Sequence, residues 1–227
     1  MTDIRFHPTD DTLACYTAGD LDSASSIMLS AHLEMCSHCR ARVDTLENTQ
    51  AQQLALTPSE PLSDELNNLL GTILCHQEMP QEEAHDSDKA TEAHIEVNSK
   101  TFRLPRVLQR HEDQIGPWSR LPGNIKRANV STSGHSKMNF IYMDCNSSLP
   151  QHTHQGQEIT LVLAGEFIDE HATYKPGDFI IQTPKHQHSP KTREDQDCLC
   201  LTLLDAPLHF TSGLATLLNP FSQLFFR

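Results

Sequence analysis

Two textures follow one another along the chain. Up to residue 76 the apolar positions recur at helical spacing, and between 9 and 77 only Gly19 and Gly71 interrupt them. A first helix is predicted over 9–18, closed by Gly19, a residue suited to the left-handed conformation that ends helices. A second starts at Asp22, a good N-cap, and carries Ile27, Leu29 and Ala31 towards His32. A third runs from Cys36 through Val43, Leu46 and Leu54. A fourth, over 63–76, sets Leu62, Leu66, Leu69, Leu70 and Ile73 at i, i+4, i+7, i+8 and i+11, a single stripe. From residue 95 onward the pattern changes to short alternating runs broken by turn residues: 137–144 (KMNFIYMD), 158–164 (EITLVLA), 178–182 (DFIIQ) and 199–204 (LCLTLL). Such spacing predicts an all-β barrel or sandwich. Between the two textures, residues 77–94 hold six carboxylates and one lysine around a proline, with almost nothing apolar, and read as a solvated linker. The expected organisation is multidomain, α plus all-β: a helical segment at 1–76, an acidic linker at 77–94 and a β-domain at 95–227. No internal repeat is visible.

Charge sharpens this division. The formal net charge is −13, and the first 94 residues carry all of it, with 17 acidic against 4 basic side chains. The remainder is neutral, with 13 of each sign. An acidic helical segment repels nucleic acid and suits a basic protein partner, although solubility alone would also account for it. No basic, aromatic-laced stretch appears, which argues against direct nucleic-acid binding. Nor does any local signature suggest a Ser-His-Asp or Cys-His catalytic set. At 227 residues, 37% of them hydrophobic, the chain has room for one to two domains. Its longest apolar stretches (ITLVLAG, FII, LTLL) are too short to span a bilayer, and the polar, acidic opening MTDIRFHPTDD lacks a secretory pattern. The expected location is the cytoplasm, without membrane attachment. Seven cysteines beside fourteen histidines, an odd number and one Cys-x-x-Cys favour reduced thiols and metal over a disulfide framework.

Four short helices make a thin core, and a segment this small usually needs a metal, a disulfide or a partner. The candidate is His32-Leu-Glu-Met-Cys36-Ser-His-Cys39. His32 and Cys36 stand at i and i+4, so both can project from one face near the end of a helix. Cys39 can complete the chelate from the first turn of the next helix. Thiolate and imidazole are the ligands of a closed tetrahedral zinc site. A redox dithiol would expect a strand before the motif, whereas a helical pattern precedes this one. His38, between the cysteines, is expected to be exposed. For the fourth ligand, His7 in Phe6-His7-Pro8 is favoured, with Cys15 as the alternative, otherwise a buried thiol.

His7 with His32-x3-Cys36-x2-Cys39, between helices of an acidic module, resembles the zinc-binding anti-sigma domain. In that family a small helical bundle binds an extracytoplasmic-function sigma factor and occludes the surfaces it uses for RNA polymerase and promoter DNA. The resemblance implies the same for this segment. Leu66, Leu69, Leu70 and Ile73 are then candidate partner contacts, the alternative being a helix folded into its own bundle.

In the β-region, His152-Thr-His154-Gln-Gly-Gln-Glu158 places two histidines and a carboxylate at one parity, on one face of an extended chain. That is a metal-binding set. The pattern H-x-H-x3-E-x6-G ending at Gly165, then Gly177-Asp178 with Pro184, His186 and His188, resembles the two motifs of the cupin fold, a double-stranded β-helix or jelly-roll barrel. In the usual second motif the ligand histidine falls eleven residues after the glycine, which selects His188 and leaves His186, nine residues on, in reserve. Two positions depart from the pattern: Cys145-Asn-Ser-Ser-Leu-Pro replaces the glycine expected ahead of the first motif, and Lys185 stands where a turn glycine is usual.

A zinc anti-sigma module followed by a cupin with this ligand set resembles the ChrR-type anti-sigma factors over nearly the whole chain. The resemblance extends to Leu218-Asn-Pro-Phe221, expected to pack on the barrel. It implies a one-to-one complex with an extracytoplasmic-function sigma factor, freed when the cupin senses singlet oxygen or an organic hydroperoxide. It also implies zinc in the helical segment and a divalent metal, zinc favoured, in the barrel. Cys198-Leu-Cys200 fits the family pattern too. Alternate residues of one strand are poorly spaced for an unstrained disulfide, so oxidation of one thiol, a soft-metal contact or two merely buried cysteines are the readings. The alternative function is a cupin metalloenzyme, a dioxygenase or isomerase, with a regulatory zinc appendage. A third reading makes Cys36 and Cys39 themselves the redox switch.

Overall fold

The computed structural model describes residues 4–58, 61–75 and 94–211, together with 213, 216 and 219. Four helices open the chain: α1 Asp10–Ala18, α2 Ser23–Met35, α3 Ser37–Leu56 and α4 Asp64–Cys75. Each begins within one residue of its expected start, because the local signals act as the sequence suggested. Thr9 caps α1, its hydroxyl accepting the Thr12 amide at 3.2 Å, and Gly19 closes the helix at φ 76°. Asp22 caps α2 through the Ser25 amide at 3.0 Å. Cys36 ends α2 in extended conformation, and the Arg40 amide then donates to its carbonyl, so one residue joins α2 to α3.

The chain forms two compact units, Met1–Thr45 with Glu92–Arg227, and Leu46–Thr91. This division differs from a helical segment ending at residue 76, since α1, α2 and the first turns of α3 belong with the strands. The reason is that α2 is apolar beyond what its small neighbours cover. Ala24, Met28, Leu29 and Ala31 are all buried, and α2 lies against the short helix α5 (Arg106–Gln109) and a barrel strand. Glu34 fixes the contact, one carboxylate oxygen accepting the Arg106 amide and the other the Val107 amide, each at 2.7 Å.

Among the described residues there are thirteen strands: β1 His94–Val97, β2 Lys100–Arg103, β3 Ser119–Leu121, β4 Ile125–Val130, β5 Lys137–Met143, β6 His152–His154, β7 Glu158–Gly165, β8 Phe167–Ile168, β9 Thr173–Tyr174, β10 Phe179–Gln182, β11 Gln187–His188, β12 Cys198–Leu204 and β13 Leu208–Phe210, with α5 between β2 and β3. Six make an antiparallel sheet in the order β10-β7-β12-β5-β4-β3, and three make a second in the order β11-β6-β13. Strands β1 and β2 form a hairpin whose turn, Asn98-Ser99, has positive φ at both residues, as two-residue hairpin turns require. All seven residues of β12 are buried between β5 and β7. Gly165, at φ 68°, ends β7 where a Cβ would lie 1.9 Å from the Asp197 carbonyl oxygen, so only glycine fits. The barrel interior is filled by Ile125, Met143, Val162, Phe167, Tyr174 and Ile180, with Cys198 and Cys200 among them.

In the second unit the stripe of α4 is open to solvent: Leu66 is 50% exposed, Leu69 55%, Leu70 43% and Ile73 61%. No residue of α4 is buried. Residues 77–93 of the expected linker lie outside the described residues, as do Leu218, Pro220 and Phe221 of the terminal segment. Asn219 bonds the Phe210 amide and carbonyl at the end of β13. Among the described residues no helix is long and apolar enough to cross a membrane.

Candidate metal centres

Among the described residues, two groups of side chains could hold a metal ion. The first is His7, His32, Cys36 and Cys39, whose ligand atoms lie within 4.8 Å of one another. His32 comes from the last turn of α2, Cys36 from the joint, Cys39 from the first turn of α3, and His7 from the extended segment before α1. The His7 Nδ1 stands 3.5 Å from Cys36 Sγ and 3.3 Å from Cys39 Sγ. A tetrahedral zinc with N and S ligands at ~2.05 and ~2.3 Å would set such pairs about 3.6 Å apart, close to what is observed. The Cys39 amide also donates to Cys36 Sγ at 3.4 Å.

His32 supplies an independent test of fit. Its Nδ1 lies 2.8 Å from the Gly177 carbonyl oxygen, which can only accept, so the proton sits on Nδ1. The lone pair is thereby left on Nε2, which is buried and has no hydrogen-bond partner within the described residues. A buried acceptor facing two thiols and an imidazole is a donor set that a metal would complete. Burial pushes the His32 imidazole down to about 4, with the His7 ring adding to the effect against the Gly177 bond, so the ring is neutral as a ligand must be. Burial pushes the Cys39 thiol up to about 12, helped by the hydrogen bond with Cys36. Without a cation the Cys39 thiol stays protonated; a metal would supply the charge that makes it a thiolate. His38 is exposed, its ring 5.1 Å from that of His7 and outside the group. Cys15 is also outside the group. It is an exposed thiol on the outer side of α1, correcting the expectation of a buried one.

The second group is His152, His154, Glu158 and His188. The two histidines of β6 alternate inward around Thr153, β11 pairs with β6 so that His188 faces His152, and Glu158 begins β7 of the opposite sheet. His188 Nε2 lies 3.0 Å from His152 Nε2 and 3.2 Å from His154 Nε2, and the Glu158 carboxylate is 2.9 Å from His154 Nε2. Ligand nitrogens at ~2.05 Å from a tetrahedral ion stand about 3.3 Å apart, so this set too has the dimensions of a first coordination sphere. Each ring is oriented from behind or by the carboxylate. The His152 Nδ1–H donates to the Pro150 carbonyl at 2.8 Å, and His188 Nδ1 meets the Gln182 amide at 2.8 Å and the buried Asp169 carboxylate at 3.4 Å. Burial, reinforced by His188, pushes His152 down to about 4. Burial opposes ionisation of Glu158, but the facing His154, His188 and His152 together outweigh it and hold the carboxyl down at about 2. The reserve residue His186 is exposed, its Nδ1 accepting the Thr183 amide at 3.0 Å, and takes no part.

Beside this group a cavity of about 90 Å³ runs between the two sheets, lined by Ile125, Ile141, Met143, Phe167 and Ile180 with His152, Glu158 and His188 at its polar end. Cys200 lines it as well, its Sγ 3.5 Å from that of Cys198, and both thiols are free and buried. Burial keeps the Cys198 thiol well above the ordinary range, which disfavours the nucleophilic thiolate. Sequence reasoning missed the supporting residues Asp169 and Gln182, which hold His188 from 19 and 6 residues away, and although the cupin pattern marked Gly177 it gave no sign of its bond to His32, 145 residues distant.

With this geometry in view, comparison with known proteins is informative. Residues 109–206 match the family described as the ChrR Cupin-like domain. Over 221 residues the chain is 31% identical to the anti-sigma-E factor ChrR of Cereibacter sphaeroides, covering 97% of this chain and 99% of that protein. Among solved structures, that of Rhodobacter sphaeroides SigE in complex with the anti-sigma ChrR is similar at a TM-score of 0.67 and 28% identity. The match covers 89% of this chain and 99% of that one. Because the likeness runs through helices and barrel alike, and not through one module, the chain belongs to the ChrR family.

Proposed function

We propose that the chain is an anti-sigma factor. Residues 1–76 bind an extracytoplasmic-function sigma factor one-to-one and keep it from RNA polymerase and promoter DNA. The barrel at 95–227 receives an oxidative signal, singlet oxygen or an organic hydroperoxide, that frees it. The observation that carries this reading is the 31% identity to an anti-sigma-E factor over 97% of the chain. Its solved counterpart is a complex with SigE. The apolar stripe of α4, exposed on a helix with no buried residue, is a surface that a partner would cover. The acidic charge of the first 94 residues favours a basic partner over nucleic acid. The setting is the cytoplasm, where the polymerase works.

Zinc suits the first centre, since two thiolates and two imidazoles closing a tetrahedron are its preferred structural ligands. There it acts as a clasp, tying the segment before α1 to the α2–α3 joint. In the barrel, three imidazoles and a carboxylate accept several divalent ions, and zinc is again favoured. The adjoining cavity admits a small oxidant to the metal, Met143 and Cys200, and Cys198 with Cys200 is the candidate redox pair. The same cavity equally suits small-molecule turnover, so a cupin metalloenzyme is the second reading. Co-expression with an extracytoplasmic-function sigma factor of the same genome, followed by metal analysis, separates the two. An equimolar complex with two metals per chain, from which Cys36→Ser loses one metal and the partner, is expected. Failure to form any complex, with steady turnover of a small substrate by the metal-loaded chain, would favour the enzyme.

A further inference from the structure

The two thiols of the first centre are held by the α2–α3 joint, but the two imidazoles are held from the barrel. His32 donates from Nδ1 to the Gly177 carbonyl, and its ring meets that of Phe179 edge-on at 5.4 Å between centroids. His7 follows Phe6, and Phe6 is fastened on both sides of its backbone. Its amide donates to Asp178 Oδ1 at 3.2 Å and its carbonyl accepts the Phe179 amide at 2.9 Å. The Arg5 amide donates to the same Oδ1 at 2.8 Å, while the other oxygen of Asp178 takes the Lys175 amide at 2.8 Å. The Asp178 residue is 1% exposed, and its carboxylate is spent on the backbone amides of one distant segment and of its own turn. Gly177 completes the joint. Its φ is 95°, and a Cβ there would come within 2.4 Å of Ile4 Cδ1.

We infer that the Gly177–Asp178 turn of the barrel is a positioning element of the thiol–imidazole centre, setting its metal affinity through His7 and His32. The inference rests on the metal reading of that centre and requires no partner. It has a structural consequence. β10 continues from this turn to Gln182, about 13 Å along the strand at its usual rise, and Gln182 meets the barrel ligand His188. The outer shells of the two centres are thus built on one strand. A displacement of β10 at the barrel centre reaches both imidazoles of the other, without any change at its thiols.

Cobalt(II) loaded into the full chain, with no partner present, reports the first centre alone through its thiolate-to-cobalt absorption, since the barrel ligand set contains no thiolate. Competition with nitrilotriacetate then measures affinity. Asp178→Ala is expected to weaken cobalt binding by about 10–100-fold, as loss of outer-shell partners does at metal sites. Asp178→Asn, which keeps one acceptor oxygen, is expected to fall between the two and to retain the band shape of the unsubstituted chain. Glu34→Ala loosens the same helix–barrel contact away from the turn and should leave affinity within about threefold, well short of an outer-shell effect. Affinity within that margin for Asp178→Ala, or an equal loss for Glu34→Ala, would overturn the inference. Should Asp178→Ala fail to fold, Asp178→Asn decides by the same margin. An unsubstituted chain without the thiolate band would remove the metal reading and this inference together, whereas a normal band insensitive to Asp178 removes only the latter.

Discussion

Consider the double substitution Leu69→Ala/Ile73→Ala on α4. Each change removes three carbons, which full burial would stabilise by ~2.4 kcal/mol at ~0.8 kcal/mol per carbon. In the free chain Leu69 is 55% and Ile73 61% exposed, so a partner covering the stripe gains only that remaining fraction. The two contributions are ~1.3 and ~1.5 kcal/mol, together about 3 kcal/mol on the same transfer scale. At 1.4 kcal/mol per tenfold, the dissociation constant for the sigma factor should rise about 100-fold. Because both side chains are more than half exposed in the free chain, its own stability should move by less, at most ~2 kcal/mol on the same scale. Titration calorimetry with the purified sigma factor reads the first quantity and urea unfolding the second. Unaltered affinity would refute the assignment of α4 to the partner surface. A large loss of stability would refute it differently, by showing that the stripe is core.

The barrel centre offers a metal count as its test: His188→Ala should lose one metal per chain while His186→Ala keeps both, read by elemental analysis of the purified full chain. Glu34→Ala removes two hydrogen bonds from a charged acceptor to the α5 amides at an exposed site, and should cost ~1–2 kcal/mol in urea unfolding. Glu34→Gln, with one acceptor oxygen left, should recover about half of that loss. Gly165→Ala places a methyl against the Asp197 carbonyl in addition to its left-handed backbone, and should cost more than about 3 kcal/mol. Gly134→Ala, at φ 115° but with open space around it, should cost only the backbone strain of ~1–2 kcal/mol, so equal losses would discredit the steric account of Gly165.

What the sequence disclosed and what it hid follow a physical line. Elements whose signals are local were legible: the caps at Thr9 and Asp22, the stop at Gly19, and strands β5, β7, β10 and β12, whose apolar runs are long enough to show a period. Short elements without an apolar run, such as α5, β6, β9 and β11, carry no period of their own and exist because the sheets around them do. The histidine pair illustrates the limit. His186 and His188 share parity, and alternation fails to separate them because β11 is only Gln187–His188, with His186 already in the preceding turn. The position of α2 on the barrel was hidden for another reason. Its buried residues read equally well as the core of an independent bundle, and nothing near His32 announces a carbonyl 145 residues away. Cys15 was misjudged because α1 has so weak an apolar face that the buried side of the helix is defined by Leu13 alone.

These observations bear on why one small segment carries both a metal group and a barrel contact. Helices of 9 and 13 residues are at or below the length at which isolated helices hold in water. The buried apolar residues that these two helices contribute, Leu13, Ala24, Met28, Leu29, Ala31 and Leu33, include no Phe, Tyr or Trp. Acidic charge works against compaction at neutral pH, because the carboxylates of α1 and α2 face few cations; Arg42 with Asp10 is an exposed pair of little weight. Beside the Glu34 contact with α5, two cross-links fix the segment on the proposed metal reading, an ion that would join His7 to the α2–α3 joint and the Gly177–Asp178 turn behind His7 and His32. Since both act on the same two imidazoles, they are not additive supports but one linked system. Loss of the ion leaves His32 Nε2 buried without a partner, and loss of the turn leaves the imidazoles unoriented towards the ion. A segment held this way responds as a unit to chemistry at either end, and that is the property a signal-gated inhibitor requires.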